Sequence, residues 1–286
     1  MNRGTWLTVP AVAWLGLFFA VPVLGIGALS FMSRDSYGRI VYSFTAENYL
    51  RALDPIYVHI VGETLLLALV TTALCALLGY PFAYAMTRFE RKWQGVLLLL
   101  ILVPFWINML VRSFAWVILL RSQGVVNTVL ERWGWIGEPL QLLYNKQAVF
   151  LGMVYTLLPF VILPVYVTLE KIDKSWLEAA SDLGAAPRRA FWAVVWPMSL
   201  PGVFTGCMLV FVSSIGMFVI PDIMGGAKSQ LLGNVIQNQF LSARDWPFGS
   251  ALSVYLIILS LAAIGVMQSW VSRLTGTGGA KRGGMR

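Results

Sequence analysis

The stretch Glu178-Ala179-Ala180-Ser181-Asp182-Leu183-Gly184, followed thirteen residues later by Pro197, holds the residues of this chain best suited to acting on another molecule. Its chemistry is recognition rather than bond-making. Glu178 is a carboxylate that a basic residue on a soluble protein could hold, and Ala179 and Ala180 are small enough for a helix to lie close in a groove. Gly184 can take the positive φ that ends a helix, and Pro187 suits a first helical position, where no N–H is needed. The spacing therefore predicts helix, turn, helix, with Arg188 and Arg189 on the polar side. Ser175 is expected to cap the first helix, with Glu178 reaching back to its N–H as a capping box. A carboxylate in a first turn is also favoured by the helix dipole.

Elsewhere no catalytic constellation is visible. His59 is the only histidine, too few for a histidine-based metal cluster, and it reads as an ordinary interfacial residue. Gly225-Gly226-Ala227-Lys228-Ser229 has a superficial likeness to a phosphate loop, but it lacks the G-x(4)-G-K-[ST] spacing. No catalytic residue, metal site or cofactor is expected in this chain, so any ATP and magnesium must be bound by another one.

The elements that must position the charged stretch are apolar. The chain is 58% hydrophobic and 12% charged, whereas a soluble domain is about a quarter charged. A spanning helix needs about 20 apolar residues to cross roughly 30 Å of hydrocarbon. Runs of that size lie near 7–32, 62–87, 95–120, 148–169, 198–221 and 249–272. Helices satisfy their own backbone in lipid, and the runs are too long for barrel strands. The expected fold is an all-α membrane protein with six transmembrane helices, forming one membrane domain over 1–275. The run at 7–32 exceeds the apolar region of a signal peptide and no small-x-small cleavage site follows it, so it is expected to remain as the first helix.

Lys and Arg set the orientation. Arg3, the 88–92 turn, the 170–196 segment and the end of the chain hold twelve of them, while three longer connections on the other side hold eight. Both termini and Glu178 are therefore expected in the cytoplasm. The net charge of +8 is mostly this asymmetry, and nothing supports nucleic-acid binding. On the outer side, residues 45–51, with Thr45 as cap, and 125–133, ending at Gly134, read as short surface helices. Pro81, Pro104, Pro159 and Pro164 are expected to kink helices. Gly202 and Gly206 form a G-x-x-x-G that suits packing on a partner subunit. Cys75 and Cys207 lie inside apolar runs and read as reduced thiols. The Gly-rich basic tail, 276–286, is expected to be disordered.

The segment 170–196 resembles the E-A-A-x(3)-G-x(9)-I-x-L-P coupling motif of permease subunits in bacterial ATP-driven, binding-protein-dependent importers. Glu178, Ala179, Ala180, Gly184 and Pro197 match, with Val194 and Trp196 standing where the family prefers Ile and Leu. Over most of its length the chain is similar to the PotB/PotH permeases of spermidine/putrescine importers. This likeness is carried by Leu78-Gly79-Tyr80-Pro81-Phe82-Ala83, Val103-Pro104-Phe105-Trp106, Leu169–Lys174, Met224–Lys228, Leu232–Ile236 and Arg244–Gly249. The resemblance implies the type I ABC importer permease fold, with a cytoplasmic coupling helix, in the bacterial inner membrane. It further implies a second, PotC-like permease, two copies of a PotA-like ATPase and a PotD-like periplasmic binding protein, all embedded in or docked at membrane lipid.

A polyamine is a flexible multiple cation, so its path calls for carboxylates and aromatic faces. Glu63, Asp222 and Asp245 are the candidate carboxylates; Trp106 and Trp246 are candidate faces, beside Phe105, Trp116 and Tyr255. Asp245 could instead pair with Arg244 or cap the turn before the sixth run. Arg112, in the middle of the third run, is expected to pair with an acidic neighbour such as Glu63 or to reach the outer surface. Were it to face the cavity, an anionic cargo would be attractive; related importer permeases for ferric ion, phosphonates or organic anions share the coupling motif and form the alternative. The rival from another class is a membrane scaffold or enzyme that merely binds a cytoplasmic partner through 170–196; an ion-coupled carrier would need no segment for a motor to grip.

Overall fold

The structure is a computed structural model that describes residues 3–35, 37–226 and 230–274; the tail at 276–286 and Ala227–Ser229 lie outside them. Among the described residues six helical stretches are long and apolar enough to cross a membrane: Thr8–Ser30, Pro55–Met86, Met109–Arg132, Lys146–Glu170, Pro187–Ile215 and Trp246–Ser269.

Two of the expected runs differ in detail. The run at 95–120 is not one helix: it divides into Arg91–Trp106 and Met109–Leu120, with Ile107 extended between them. The Asn108 side chain accepts the N–H of Leu110 and so caps a fresh helix where a kink was expected. The fifth helix begins earlier and ends earlier than 198–221. It rises from Pro187 and stops at Ile215, with Gly216 as its cap. Asp222 accordingly lies in a separate turn, Pro221–Gly225, rather than at that helix's end.

Two π-helical turns have a shared cause. In Gly16–Ala20 and Phe191–Val195, the N–H of the next residue bonds five residues back, Val21 to Gly16 and Trp196 to Phe191. Each of those donors precedes a proline, Pro22 and Pro197. A proline ring crowds the carbonyl four residues before it, and the wider turn relieves that crowding.

The chain falls into two compact units. The first draws on 1–62 and 231–260. It contains a two-stranded antiparallel pairing of Ser33–Arg34 with Ile40–Val41, the short helix Glu47–Ala52 and the helix Leu231-capped Leu232–Leu241. Thr45 accepts the N–H of Glu47, close to the expected cap. Its core is Ala52, Leu232, Val235, Phe248 and Leu252.

The second unit draws on 63–230 and 261 onward. Lipid tails are as apolar as leucine, so close backbone approach rather than a hydrophobic drive must hold membrane helices together. The helices Pro159–Glu170 and Trp196–Ile215 pair in this way. A side chain at Gly202 would lie 2.5 Å from Thr168 Oγ1 and 2.6 Å from the Pro164 carbonyl oxygen; one at Gly206 would lie 2.8 Å from Val161 Cα. The G-x-x-x-G thus seats a helix of the same chain, where a partner subunit was expected. Gly152 does the same for the turn at 221–225, against Met224 and Ile220. Cys75 and Cys207 are free thiols.

Candidate functional site

The expected helix, turn, helix is present at 174–190. The first helix is Lys174–Asp182, and its cap is Asp173, whose side chain accepts the N–H of Ser175 at 3.0 Å. This corrects the expectation for Ser175. The helix starts two residues earlier than a Ser175 cap would place it, so Glu178 does not fall at the capping-box position. The Ser175 backbone N–H, then its hydroxyl, hold Asp173 below the usual carboxylate range. A carboxyl lowered on folding stabilises above its ordinary pKa and loses that effect as pH falls through the lowered one. Asp173→Ala should therefore loosen the helix at neutral pH, Asp173→Asn should do so less, and only the parent should gain a further loss on acidification. Hydrogen exchange at Ser175–Leu177 between pH 7 and pH 3 reads this directly.

The helix ends in a Schellman turn. Gly184 has φ +76°, its N–H donates to Ser181 O, and Ala185 N–H donates to Ala180 O. Pro187 then opens Pro187–Ala190, which passes through the Phe191–Val195 turn into the helix bearing Pro197. Glu178 and Ala179 are exposed and Ala180 is half-buried. Glu178 makes no hydrogen bond or ion pair with a described side chain. A rigid, capped helix therefore offers an unspent carboxylate flanked by small residues, which is the geometry a groove on another protein would take.

The five path candidates separate. Asp245 and Trp246 belong to the first unit. Asp245 is 5% exposed and receives Arg51 at 2.8 Å, with Arg34 at 3.9 Å. It also accepts the Phe248 N–H at 3.3 Å, capping its helix. Of the two alternatives offered for it, the cap is therefore present, and its ionic partner is Arg51 rather than Arg244. Burial opposes the Arg51 charge, but Asp245 outweighs it and raises the guanidinium's pKa. Arg51 also lies 3.9 Å over the Phe248 ring. This carboxylate is a clamp between the segment after the first helix and the start of the last. Trp246 is exposed and packs edge-on against Phe240.

In the second unit, Glu63 is bound by Lys146 at 2.5 Å. Arg112 makes no ion pair among the described residues; its guanidinium sits 6.0 Å from the Phe105 ring centroid. Phe105 pairs edge-on with Phe160, and Trp116 with Tyr155. Trp106 is 82% exposed, at the end of the broken helix. Asp222 is exposed on its turn and has no ion pair among the described residues. The Asp222 turn packs on both Met109–Leu120 and the Lys146–Leu157 helix. The break at Ile107–Asn108, beside the exposed Trp106, lies just before the span Met109–Arg132. Sequence pattern did not reveal it, although Asn followed by an apolar run is a start signal.

Residues 76–276 match the family described as the inner membrane component of binding-protein-dependent transport systems. The chain is 43% identical over 253 residues to the spermidine/putrescine transport system permease protein PotB of Escherichia coli K12, covering 88% of this chain and 92% of that one. It is 41% identical over 259 residues to PotB of Haemophilus influenzae, covering 90% and 91%. Among solved structures it is similar to a chain of a bacterial alginate ABC transporter in complex with an alginate-pentasaccharide-bound periplasmic protein, with TM-score 0.74, 14% identity and coverage of 95% and 94%.

Proposed function

From the premise that the chain belongs to the inner membrane components of binding-protein-dependent transport systems, we propose that it is the permease subunit of an ATP-driven polyamine importer. The observation that carries this is the capped helix Lys174–Asp182 with its exposed Glu178, which no described side chain pairs, together with 43% identity to a spermidine/putrescine permease. Both termini and the 174–190 element face the cytoplasm, following the Lys and Arg bias. Two ATPase subunits grip this element and its counterpart on a second permease, and a periplasmic binding protein delivers cargo from the other side. ATP closes the motors and draws the coupling helices together. The Pro187–Ile215 helix, continuous with the coupling element, carries that motion into the membrane and opens the path outward. Hydrolysis then restores the inward-facing state.

Asp222 and Trp106 are the cargo contacts of this reading. One is a carboxylate with no ion pair among the described residues, the other an aromatic face open to an ammonium group. Glu63 takes part only if a cationic amine displaces Lys146. Asp245 and Trp246 stand outside it, since Arg51 and Arg34 already hold Asp245. A ferric-ion or anion importer is the weaker reading, because the relatives at 41–43% identity are named for polyamines.

Asp222→Asn should lower spermidine and putrescine uptake about tenfold, the value of one charge-assisted contact, with assembly of the ATPase unchanged. Labelled uptake into proteoliposomes, normalised to ATPase retained, reads it; unchanged uptake removes Asp222 from the path. The reading as a whole is tested by competition in the same assay. Spermidine and putrescine should displace one another, and sulfate, ferric ion or phosphonate should not. Displacement by an anion alone would overturn the cargo.

A further inference from the structure

We infer that an aromatic clasp centred on Phe191 is the mechanical joint between the coupling helix and the Pro55–Met86 helix, and that Phe191 is a positioning residue for coupled transport. Phe191 follows directly on the coupling element, in the π-helical turn before Pro197. Its ring meets Tyr84 edge-on at 5.2 Å, Tyr80 at 6.2 Å and Trp192 at 5.3 Å. Trp196 closes the cluster against Tyr80 at 5.0 Å and Trp192 at 5.7 Å. Tyr80 also hydrogen-bonds Ser199 at 3.1 Å, and the Arg88 guanidinium covers the Tyr84 ring. Two rungs of one helix, Tyr80 and Tyr84, are thereby bound to three positions of the segment leaving the coupling helix.

The surroundings make these rings the direct connection. The coupling helix itself packs on Pro187–Ala190 and on the Phe191–Val195 turn. Between Leu177 and Tyr84 there is instead a cleft of about 620 Å³, also lined by Arg91, Gln94, Glu170 and Val195. Displacement of the helix is therefore not passed to Tyr84 by close packing across that gap. It passes through Phe191, whose edge contacts have an angular preference that aliphatic packing lacks. Pro197 has a part in this. By forcing the wide turn, it sets the register in which Phe191 and Trp196 both face Tyr80, which gives the last residue of the coupling motif a physical role. π-Turns recur at functional sites for this reason, since they re-aim side chains without breaking a helix.

The inference rests on the transport reading above, and the test separates the two. The complete importer, with its binding protein, is reconstituted, and spermidine moved per ATP hydrolysed is measured for the parent, Phe191→Ala, Phe191→Tyr and Tyr84→Leu. Phe191→Ala should lower cargo per ATP about tenfold, since three ring contacts go at once, while the hydrolysis rate stays within about twofold. Phe191→Tyr keeps the ring and should restore the ratio, which a merely structural loss would not distinguish. Tyr84→Leu, on the opposite helix and at the rim of the cleft, should repeat the loss even if Phe191→Ala accumulates poorly. An unchanged ratio in Phe191→Ala or Tyr84→Leu overturns the clasp. A parent complex whose hydrolysis moves no cargo overturns the transport reading and the clasp with it.

Discussion

Glu178→Lys is expected to abolish coupled transport, with uptake falling by about a hundredfold, while the protein remains folded in the membrane. The carboxylate is exposed, on a helix held by Asp173 at one end and a Schellman turn at the other, and no described side chain competes for it. Reversal therefore disturbs no internal contact. On the docking proposal it disturbs a complementary charge in the motor's groove, where replacing attraction by like-charge repulsion costs about two orders of magnitude. Ala179→Glu should act less strongly, through bulk in the same groove. Co-purification of the ATPase with Glu178→Lys, against the parent, gives the answer: retained ATPase together with unchanged uptake would remove the 174–184 helix from the docking site.

The other large effect is structural. Gly206→Val is expected to destabilise the second unit by about 3 kcal/mol or more. The new Cβ would lie 2.8 Å from Val161 Cα and 3.1 Å from the Phe160 carbonyl oxygen, and backbone atoms cannot swing aside as a side-chain tip can. Relief requires separating Pro159–Glu170 from Trp196–Ile215, whose close approach supplies their attraction in lipid. Gly95→Val, where a Cβ meets nothing within 4 Å, provides the control. Thermal unfolding in detergent should show Gly206→Val melting well below both the parent and Gly95→Val. Equal midpoints would mean that the hairpin is not held by that seam.

The features legible in the sequence were those with local causes. Length and apolarity gave six spans. Gly184 and Pro187 gave the end of one helix and the start of the next, and Gly134 closed the short helix Val125–Arg132 as expected. The misreadings share another character. Asp173 and Ser175 are both short polar residues able to cap, and the decision came from where the chain leaves the preceding helix at Glu170. At Asn108 the competing signal was continuous hydrophobicity, which hid a cap inside an apolar run. Ion partners were least readable: Arg51 and Asp245 are 194 residues apart, and Glu63 and Lys146 are 83 apart. Pattern cannot choose among distant charges: of the two local alternatives for Asp245, the cap before the last helix is present, while its ionic partner is Arg51 rather than Arg244. The same applies to Gly202 and Gly206, whose small faces announce a close neighbour without identifying Thr168 and Val161. The helix, turn, helix at 174–190 was therefore nearly complete in the sequence, whereas the ionic partners of the path candidates had to wait for the fold.

The central claim, that this permease couples a soluble motor to polyamine movement through the 174–190 element, is met most directly by ATP hydrolysis. The complex is reconstituted with its second permease, ATPase and binding protein, and hydrolysis is followed with and without spermidine or putrescine, for the parent and for Glu178→Lys. The account predicts stimulation by polyamine in the parent and none in the variant. Hydrolysis indifferent to polyamine but raised by an anion or a metal ion would contradict the cargo, and stimulation that survives Glu178→Lys would contradict the coupling.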